Sequence, residues 1–307
     1  VSKTAFIFPG QASQSVGMGK DLYESFDLAK EYYDTADEVM GLKISKLSFE
    51  GPLEKLTETR VTQPAIFTLS VILNELLKQE GAKYDMVAGH SLGEYSALVA
   101  ANVLDFRDAL KLVKVRSQAM QDACEEFPGT MAAVIGLEES KIAEACTAAS
   151  SQGIVQPANY NSPGQIAISG EVDAVREAME QAKDLGARRA IELVVGGAFH
   201  SPLMSSAKAA VSEMLESTEF RDAAIPVYPN ISAKPTQDSA KLKQALIDQI
   251  DHPVLWMQTI EQMIEDGGDS FYEVGPGNVL TGLMKRINQD VSRENISSYR
   301  DIVRFKE

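Results

Sequence analysis

Histidine and cysteine are both scarce in this chain. Only three histidines, His90, His200 and His252, are present in 307 residues, so any imidazole acid-base role falls on one of them. The two cysteines, Cys124 and Cys146, form no Cys-x-x-Cys pair and show no metal-ligand spacing, and they read as small core or helix residues. A metal centre is therefore not expected. No apolar run approaches the roughly 20 residues that cross a bilayer, and no N-terminal segment has the pattern of a signal peptide. A cytoplasmic protein with no membrane contact is the expectation. Positive charge is also in deficit, with 29 Lys and Arg against 44 Asp and Glu and a net charge of -15. Phosphate binding needs a basic footprint, so nucleic acid is excluded as a partner.

What is present is a serine between two glycines. Gly89-His90-Ser91-Leu92-Gly93 follows the apolar run Met86-Val87-Ala88 and precedes Glu94-Tyr95-Ser96-Ala97-Leu98-Val99-Ala100, which reads as a helix. A serine hydroxyl is a poor nucleophile unless the backbone presents it sharply, and Gly-x-Ser-x-Gly on a strand-to-helix turn is a nucleophile elbow. The bland alternative is a glycine-rich turn in which the serine is only a cap.

The rest of the chain divides by rhythm. Strands are expected at Thr4–Phe8, Ile225–Tyr228 and Ser270–Val274. A helix with Pro64 in its first turn, a long helix from Phe106 to Glu125 and a last helix at Val279–Ile287 complete an α/β pattern. Between Phe127 and Gly196 the order changes: strand 131–135, helix 138–149, strand 154–158, turn 161–164, strand 165–169, helix 172–185, strand 190–195. This β-α-β-β-α-β order is that of a ferredoxin-like α+β unit. The fold expected is a large, α/β-hydrolase-like domain with a parallel sheet (1–126 and 197–307), interrupted by a small inserted ferredoxin-like domain (127–196). The cleft between them is the expected site.

A serine of this kind needs a base. His90 adjoins Ser91, so its side chain should diverge from the hydroxyl. His252, in Asp251-His252-Pro253, has the setting of a solvated or capping residue. His200 lies where the chain leaves the insert and re-enters the large domain, and it is preferred, with a helix-capping role near Pro202 as its alternative. Asp85 and Asp251 are possible orienters, and a backbone carbonyl can fill the same role.

Seven separated motifs carry a resemblance that runs from end to end. They are Phe8-Pro9-Gly10-Gln11-Ala12-Ser13-Gln14, Val61-Thr62-Gln63-Pro64-Ala65, the Ser91 motif, Arg116-Ser117-Gln118-Ala119-Met120, Asn159-Tyr160-Asn161-Ser162-Pro163-Gly164-Gln165, Ala198-Phe199-His200-Ser201 and Glu273-Val274-Gly275-Pro276-Gly277. Together they resemble the malonyl-CoA:acyl carrier protein transacylase family. The resemblance implies malonyl transfer from malonyl-CoA to the phosphopantetheine thiol of acyl carrier protein, for fatty acid synthesis, by a stand-alone monomer without cofactor. It implies Ser91 as nucleophile, His200 as base and the Gln249 carbonyl as its orienter, with oxyanion donors at Gln11 and Leu92. Arg116, a solvated helix residue on sequence alone, would turn inward to the malonyl carboxylate. Gln63, Met120, Met131, Phe199 and Asn161 would line the pocket, with Phe199 leaving no room for a branched acyl group. Because the carrier protein is expected to be acidic, a local basic face is required, and Arg188, Arg189, Lys285 and Arg286 are the candidates. A serine hydrolase and a catalytically silent carrier-binding subunit are the rival readings.

Overall fold

The computed structural model describes residues 2–306; Val1 and Glu307, the outermost residues of the expected large domain, lie outside them. Nine strands occur among the described residues: β1 (Lys3–Phe8), β2 (Met86–Gly89), β3 (Gly129–Ile135), β4 (Val155–Ser162), β5 (Gln165–Glu171), β6 (Arg189–Glu192), β7 (Val227–Tyr228), β8 (Gly268–Val274) and β9 (Ser292–Ile296). They form two sheets. The first has the order β7-β2-β1-β8-β9, with every neighbouring pair parallel.

Parallel strands covered by helices on both faces need apolar side chains in both directions, which is why β1 and β2 read as unbroken apolar runs. In β1, Phe6 and Phe8 pack with the helices Thr59–Gln79 and Phe106–Glu126. Ala5 and Ile7 face the opposite way, toward Trp256–Glu265 and Val279–Ile287.

The second sheet has the order β4-β5-β3-β6 and is antiparallel. Helices Glu139–Ala149 and Val172–Asp184 supply Ile142, Ala145, Val175 and Ala178 to a separate core with Val134 and Ile168. A backbone bridge ties this sheet to the larger unit. Tyr160 N–H donates to the Val254 carbonyl at 2.9 Å, and Val254 N–H donates to the Ala158 carbonyl at 2.8 Å. Asn161 is thereby carried to His90, just past the carboxyl end of β2.

Several expected boundaries shift. The helix that carries Pro64 begins at Thr59, so the proline is inside it and not in its first turn. The missing N–H leaves only the Arg60 carbonyl without its i+4 donor, close enough to the helix start for the helix to continue. β4 runs on through Asn161 and Ser162, which were expected in a turn. β6 stops at Glu192; Leu193 N–H still reaches the Met131 carbonyl of β3 at 2.8 Å, and Val194 beyond it is 98% exposed. After Pro202–Met204, a 3-10 turn, the helix expected from Leu203 begins at Ser205. Val279–Ile287 is not the last helix, because β9 and the helix Tyr299–Lys306 follow it.

Candidate active site

Parallel sheets place functional groups at the carboxyl ends of their strands. Here β1 leads into Gln11, β2 into Ser91, and β7 into Asn230. Ser91 occupies the turn between β2 and the helix Gly93–Ala100 with φ 51°, a left-handed conformation that costs a non-glycine residue about 1–3 kcal/mol. Its backbone is held from both sides. Ser91 N–H donates to Asn230 Oδ1 at 2.7 Å, and its carbonyl accepts from Gln249 Nε2 at 2.9 Å. Both flanking glycines are required by contact: a Cβ on Gly89 would overlap the Gly93 carbonyl, and one on Gly93 would overlap the Phe8 carbonyl.

His200 is 3% exposed, and its Nε2 lies 2.8 Å from Ser91 Oγ. Its Nδ1 lies 2.8 Å from the Gln249 carbonyl. A carbonyl only accepts, so Nδ1 carries the proton and the Nε2 lone pair faces the serine hydroxyl. That carbonyl is free for a reason in the sequence. Gln249 ends the helix Ser239–Gln249, and its i+4 partner is Pro253, which has no N–H. Burial, and then the charge of Arg116, push the imidazole down to about 3, so His200 is neutral at physiological pH.

Arg116 is fully buried. Its Nη1 donates to Gln63 Oε1 at 2.7 Å, and its Nη2 donates to Ser91 Oγ at 3.0 Å and to Gln249 Oε1 at 2.9 Å. The guanidinium carbon stands 5.5 Å from the centroid of the Tyr95 ring, and Nε has no hydrogen-bond partner among the described residues. No carboxylate forms an ion pair with Arg116 among these residues. The buried guanidinium is thus held only by neutral acceptors, a setting in which its charge has no paired anion.

Gln63 Nε2 donates to Gln11 Oε1 at 3.0 Å and lies 3.6 Å from Met120 Sδ. The Gln11 loop presses on the Ser91 turn, since a Cβ on Gly10 would come within 2.5 Å of the His90 carbonyl oxygen. Among the described residues the backbone N–H groups of Gln11 and Leu92 have no acceptor. Ser91, His200 and Gln11 open into a cleft of about 450 Å³, which Met120, Met131, Asn161 and Phe199 also line. Gln63, Leu92, Arg116 and Gln249 lie behind that surface, each fully buried.

The other two histidines point elsewhere. His90 Nε2 donates to Asn161 Oδ1 at 2.9 Å, and its ring lies 5.4 Å from Trp256. His252 is exposed and caps its own helix end through the Asp248 carbonyl at 3.0 Å. Neither proposed acid orients His200. Asp251 pairs with Lys208 and His252, and Asp85 accepts from Thr4 N–H. Asn230 and Glu94 were missed as parts of the site. Asn230 could have been found from its place just past an apolar strand, and Glu94 from being the one charge in an otherwise apolar helix.

No helix among the described residues is long and apolar enough to cross a membrane, and no group of three or more His, Cys, Asp or Glu is assembled that could hold a metal ion.

The comparisons with known proteins agree in one direction. The acyl transferase domain family matches residues 5–305. The malonyl CoA-acyl carrier protein transacylase of Bacillus subtilis is 45% identical over 290 residues, covering 94% of this chain and 92% of that protein. The crystal structure of an acyl carrier protein S-malonyltransferase from Vibrio cholerae superimposes with a TM-score of 0.94 at 42% identity, covering 99% of both chains. A type II PKS acyl-carrier protein in complex with its malonyl-transacylase gives a TM-score of 0.95 at 40% identity, covering 98% of both chains. The chain belongs to the acyl transferase domain family and, within it, to the malonyl CoA-acyl carrier protein transacylases.

Proposed function

We propose that the chain transfers the malonyl group of malonyl-CoA to the phosphopantetheine thiol of an acyl carrier protein, through an ester on Ser91, supplying extender units for fatty acid synthesis. One observation carries this reading. The Ser91 hydroxyl sits between a neutral imidazole nitrogen at 2.8 Å and a buried guanidinium nitrogen at 3.0 Å. The first suits a base and the second an anionic acyl chain.

In the first half-reaction Ser91 Oγ attacks the thioester carbonyl while its proton passes to His200 Nε2. The tetrahedral oxyanion is received by the N–H groups of Gln11 and Leu92, whose lack of other acceptors supports the assignment. The C–S bond then breaks, and the proton on Nε2 goes to the departing coenzyme A sulfur. In the second half-reaction the carrier thiol gives its proton to His200 and attacks the ester carbonyl. Ser91 Oγ leaves and takes the proton back. Every role falls to a side chain or backbone amide, so the reading needs no cofactor.

Arg116 gives the selectivity. A malonyl carboxylate would take the Nη2–H that the hydroxyl now accepts, and would remove part of the repulsion that disfavours imidazolium at His200. Acetyl does neither. Phe199, 6% exposed on the cleft wall, is assigned to exclude an α-branch, with Gln63, Met120, Met131 and Asn161 shaping the rest of the pocket.

The wider assignments follow from this reading. Ser91 is taken as the tip of a nucleophile elbow in a hydrolase-like large domain (1–126 and 197–307). Residues 127–196 are taken as a ferredoxin-like insert, supported by the β3-helix-β4-β5-helix-β6 order and the β4-β5-β3-β6 sheet. Monomeric function is kept as part of this reading, and a cytoplasmic location is supported by two buried free cysteines. Arg188, Arg189, Lys285 and Arg286, all exposed, are assigned to carrier docking, with Arg286 hydrogen-bonded to Gln165 at the cleft.

Incubation with malonyl-CoA alone separates transfer from hydrolysis. A stable adduct that discharges on addition of carrier protein supports transfer, whereas continuous thiol release without carrier would support a hydrolase.

A further inference from the structure

We infer that Glu94 is a positioning residue for the reaction at Ser91: its carboxylate anchors the Asn230 main chain and the Gln249 side chain, which together clamp the Ser91 backbone and face Arg116. The inference rests on the proposed acyl transfer at Ser91.

Glu94 is 0% exposed in a helix, Gly93–Ala100, whose every residue is buried. A carboxyl placed there is costly unless it is bonded. Its Oε2 accepts from Asn230 N–H at 3.0 Å and from Gln249 Nε2 at 2.9 Å, while Oε1 has no hydrogen-bond partner among the described residues. Each of the two bonded residues acts directly on Ser91. Asn230 Oδ1 takes Ser91 N–H at 2.7 Å, and Asn230 Nδ2 donates to the Gly89 carbonyl at 2.7 Å. Gln249 Nε2 also donates to the Ser91 carbonyl at 2.9 Å. The left-handed conformation of Ser91, φ 51°, needs such a clamp to persist.

The orientation of the Gln249 amide is the second part of the argument. Turned over, it would set its oxygen against the Glu94 carboxylate and the Ser91 carbonyl, and its NH₂ against the Arg116 guanidinium. Acceptor would meet acceptor and donor would meet donor. Glu94 and Arg116 therefore fix one orientation between them. The main-chain carbonyl of the same Gln249 receives His200 Nδ1–H, so one residue links the carboxylate to base, nucleophile and guanidinium. The titratable groups that face Glu94 are Arg116 from the helix Phe106–Glu126 and Tyr95 from its own helix. Burial pushes the carboxyl up to about 7, while the bonds from Asn230 and Gln249 and the charge of Arg116 pull the other way.

The test is a double-mutant cycle read by the single-turnover rate of Ser91 labelling with malonyl-CoA. Loss of a charge-assisted anchor predicts that Glu94→Gln slows labelling by about ten- to a hundredfold, with KM changed by less than about threefold. In the Gln249→Ala background the same substitution should cost at least about threefold less than in the wild type, because one of the two elements it anchors is gone and only the Asn230 N–H bond remains. Labelling by Glu94→Gln within about threefold of wild type, or losses that multiply in the double variant, would overturn the inference. Should Glu94→Gln not fold, Glu94→Asp, which keeps the charge and withdraws it by one methylene, carries the same cycle. Wild-type labelling is the control: its absence overturns the acyl-transfer reading and this inference with it, whereas its presence beside an additive cycle overturns this inference alone.

Discussion

Arg116 donates to the Ser91 hydroxyl across 3.0 Å, so the group proposed to read the acyl chain and the group proposed to carry it are hydrogen-bonded to each other. Selectivity and reactivity are thereby coupled through one contact. The same guanidinium helps to keep His200 neutral, a constraint that the proposed malonyl carboxylate would relax.

Replacing Arg116 with Ala should cost malonyl-CoA about 2–3 kcal/mol of transition-state stabilisation, on the order of a hundredfold in kcat/KM. Acetyl-CoA should lose far less, because it makes no use of the guanidinium. Comparing kcat/KM for the two thioesters checks this, and an unchanged malonyl preference would remove Arg116 from its role. Arg116→Lys should restore little, since one ammonium cannot reproduce the separate bonds to Gln63, Gln249 and Ser91.

Asn230→Ala leaves Ser91 N–H and the Gly89 carbonyl without their side-chain partners. Two unsatisfied backbone groups beside a left-handed serine predict a loss of about 1–3 kcal/mol in stability together with slower acylation. Urea midpoints and labelling rates should both fall. A normal labelling rate in a destabilised protein would show that the clamp serves the fold and not the reaction.

Two buried groups should tilt stability in opposite directions with pH. His200 titrates at about 3 when folded against an ordinary value of 6.5, so the unfolded chain binds more protons between these values and stability is lost as pH falls below 6.5. Glu94 is raised to about 7 from 4.5, so the folded chain binds the extra proton and stability is lost as pH rises through that range. Relative to wild type, His200→Gln should gain in urea midpoint on going from pH 7 to pH 5. Glu94→Gln should gain on going from pH 5 to pH 8. A loss relative to wild type in either of these two pH steps would contradict the corresponding assignment.

Reversal of Arg188 and Arg189 to Glu should raise the apparent KM for carrier protein and leave that for malonyl-CoA unchanged. Both side chains are exposed, Arg188 just before β6 and Arg189 at its start, and neither lines the cleft. Equal effects on both substrates would reject this docking face.

Much of this arrangement was legible in the chain. β1 and β2 stood out because strands covered on both faces leave apolar runs, and the glycines around Ser91 marked a turn where backbone packs on backbone. β9 did not, because Ser292-Arg293-Glu294-Asn295-Ile296 is a polar edge strand with one fully buried side chain. Arg116 could not be placed inward from its helix alone, since its acceptors Gln63 and Gln249 lie 53 and 133 residues away. The preference for His200 over His252 rested on position, and the Gln249 carbonyl on family resemblance. The physical cause of that carbonyl's availability, Pro253 one turn on, was written in the sequence and went unread.

The most direct measurement is intact mass with peptide mapping after brief exposure to malonyl-CoA, for the wild-type chain and Ser91→Ala. The account predicts one malonyl group on the wild type, located at Ser91 and released to carrier protein, and none on the variant. A wild-type chain that gains no malonyl, or a variant that gains it at another side chain, would contradict the account.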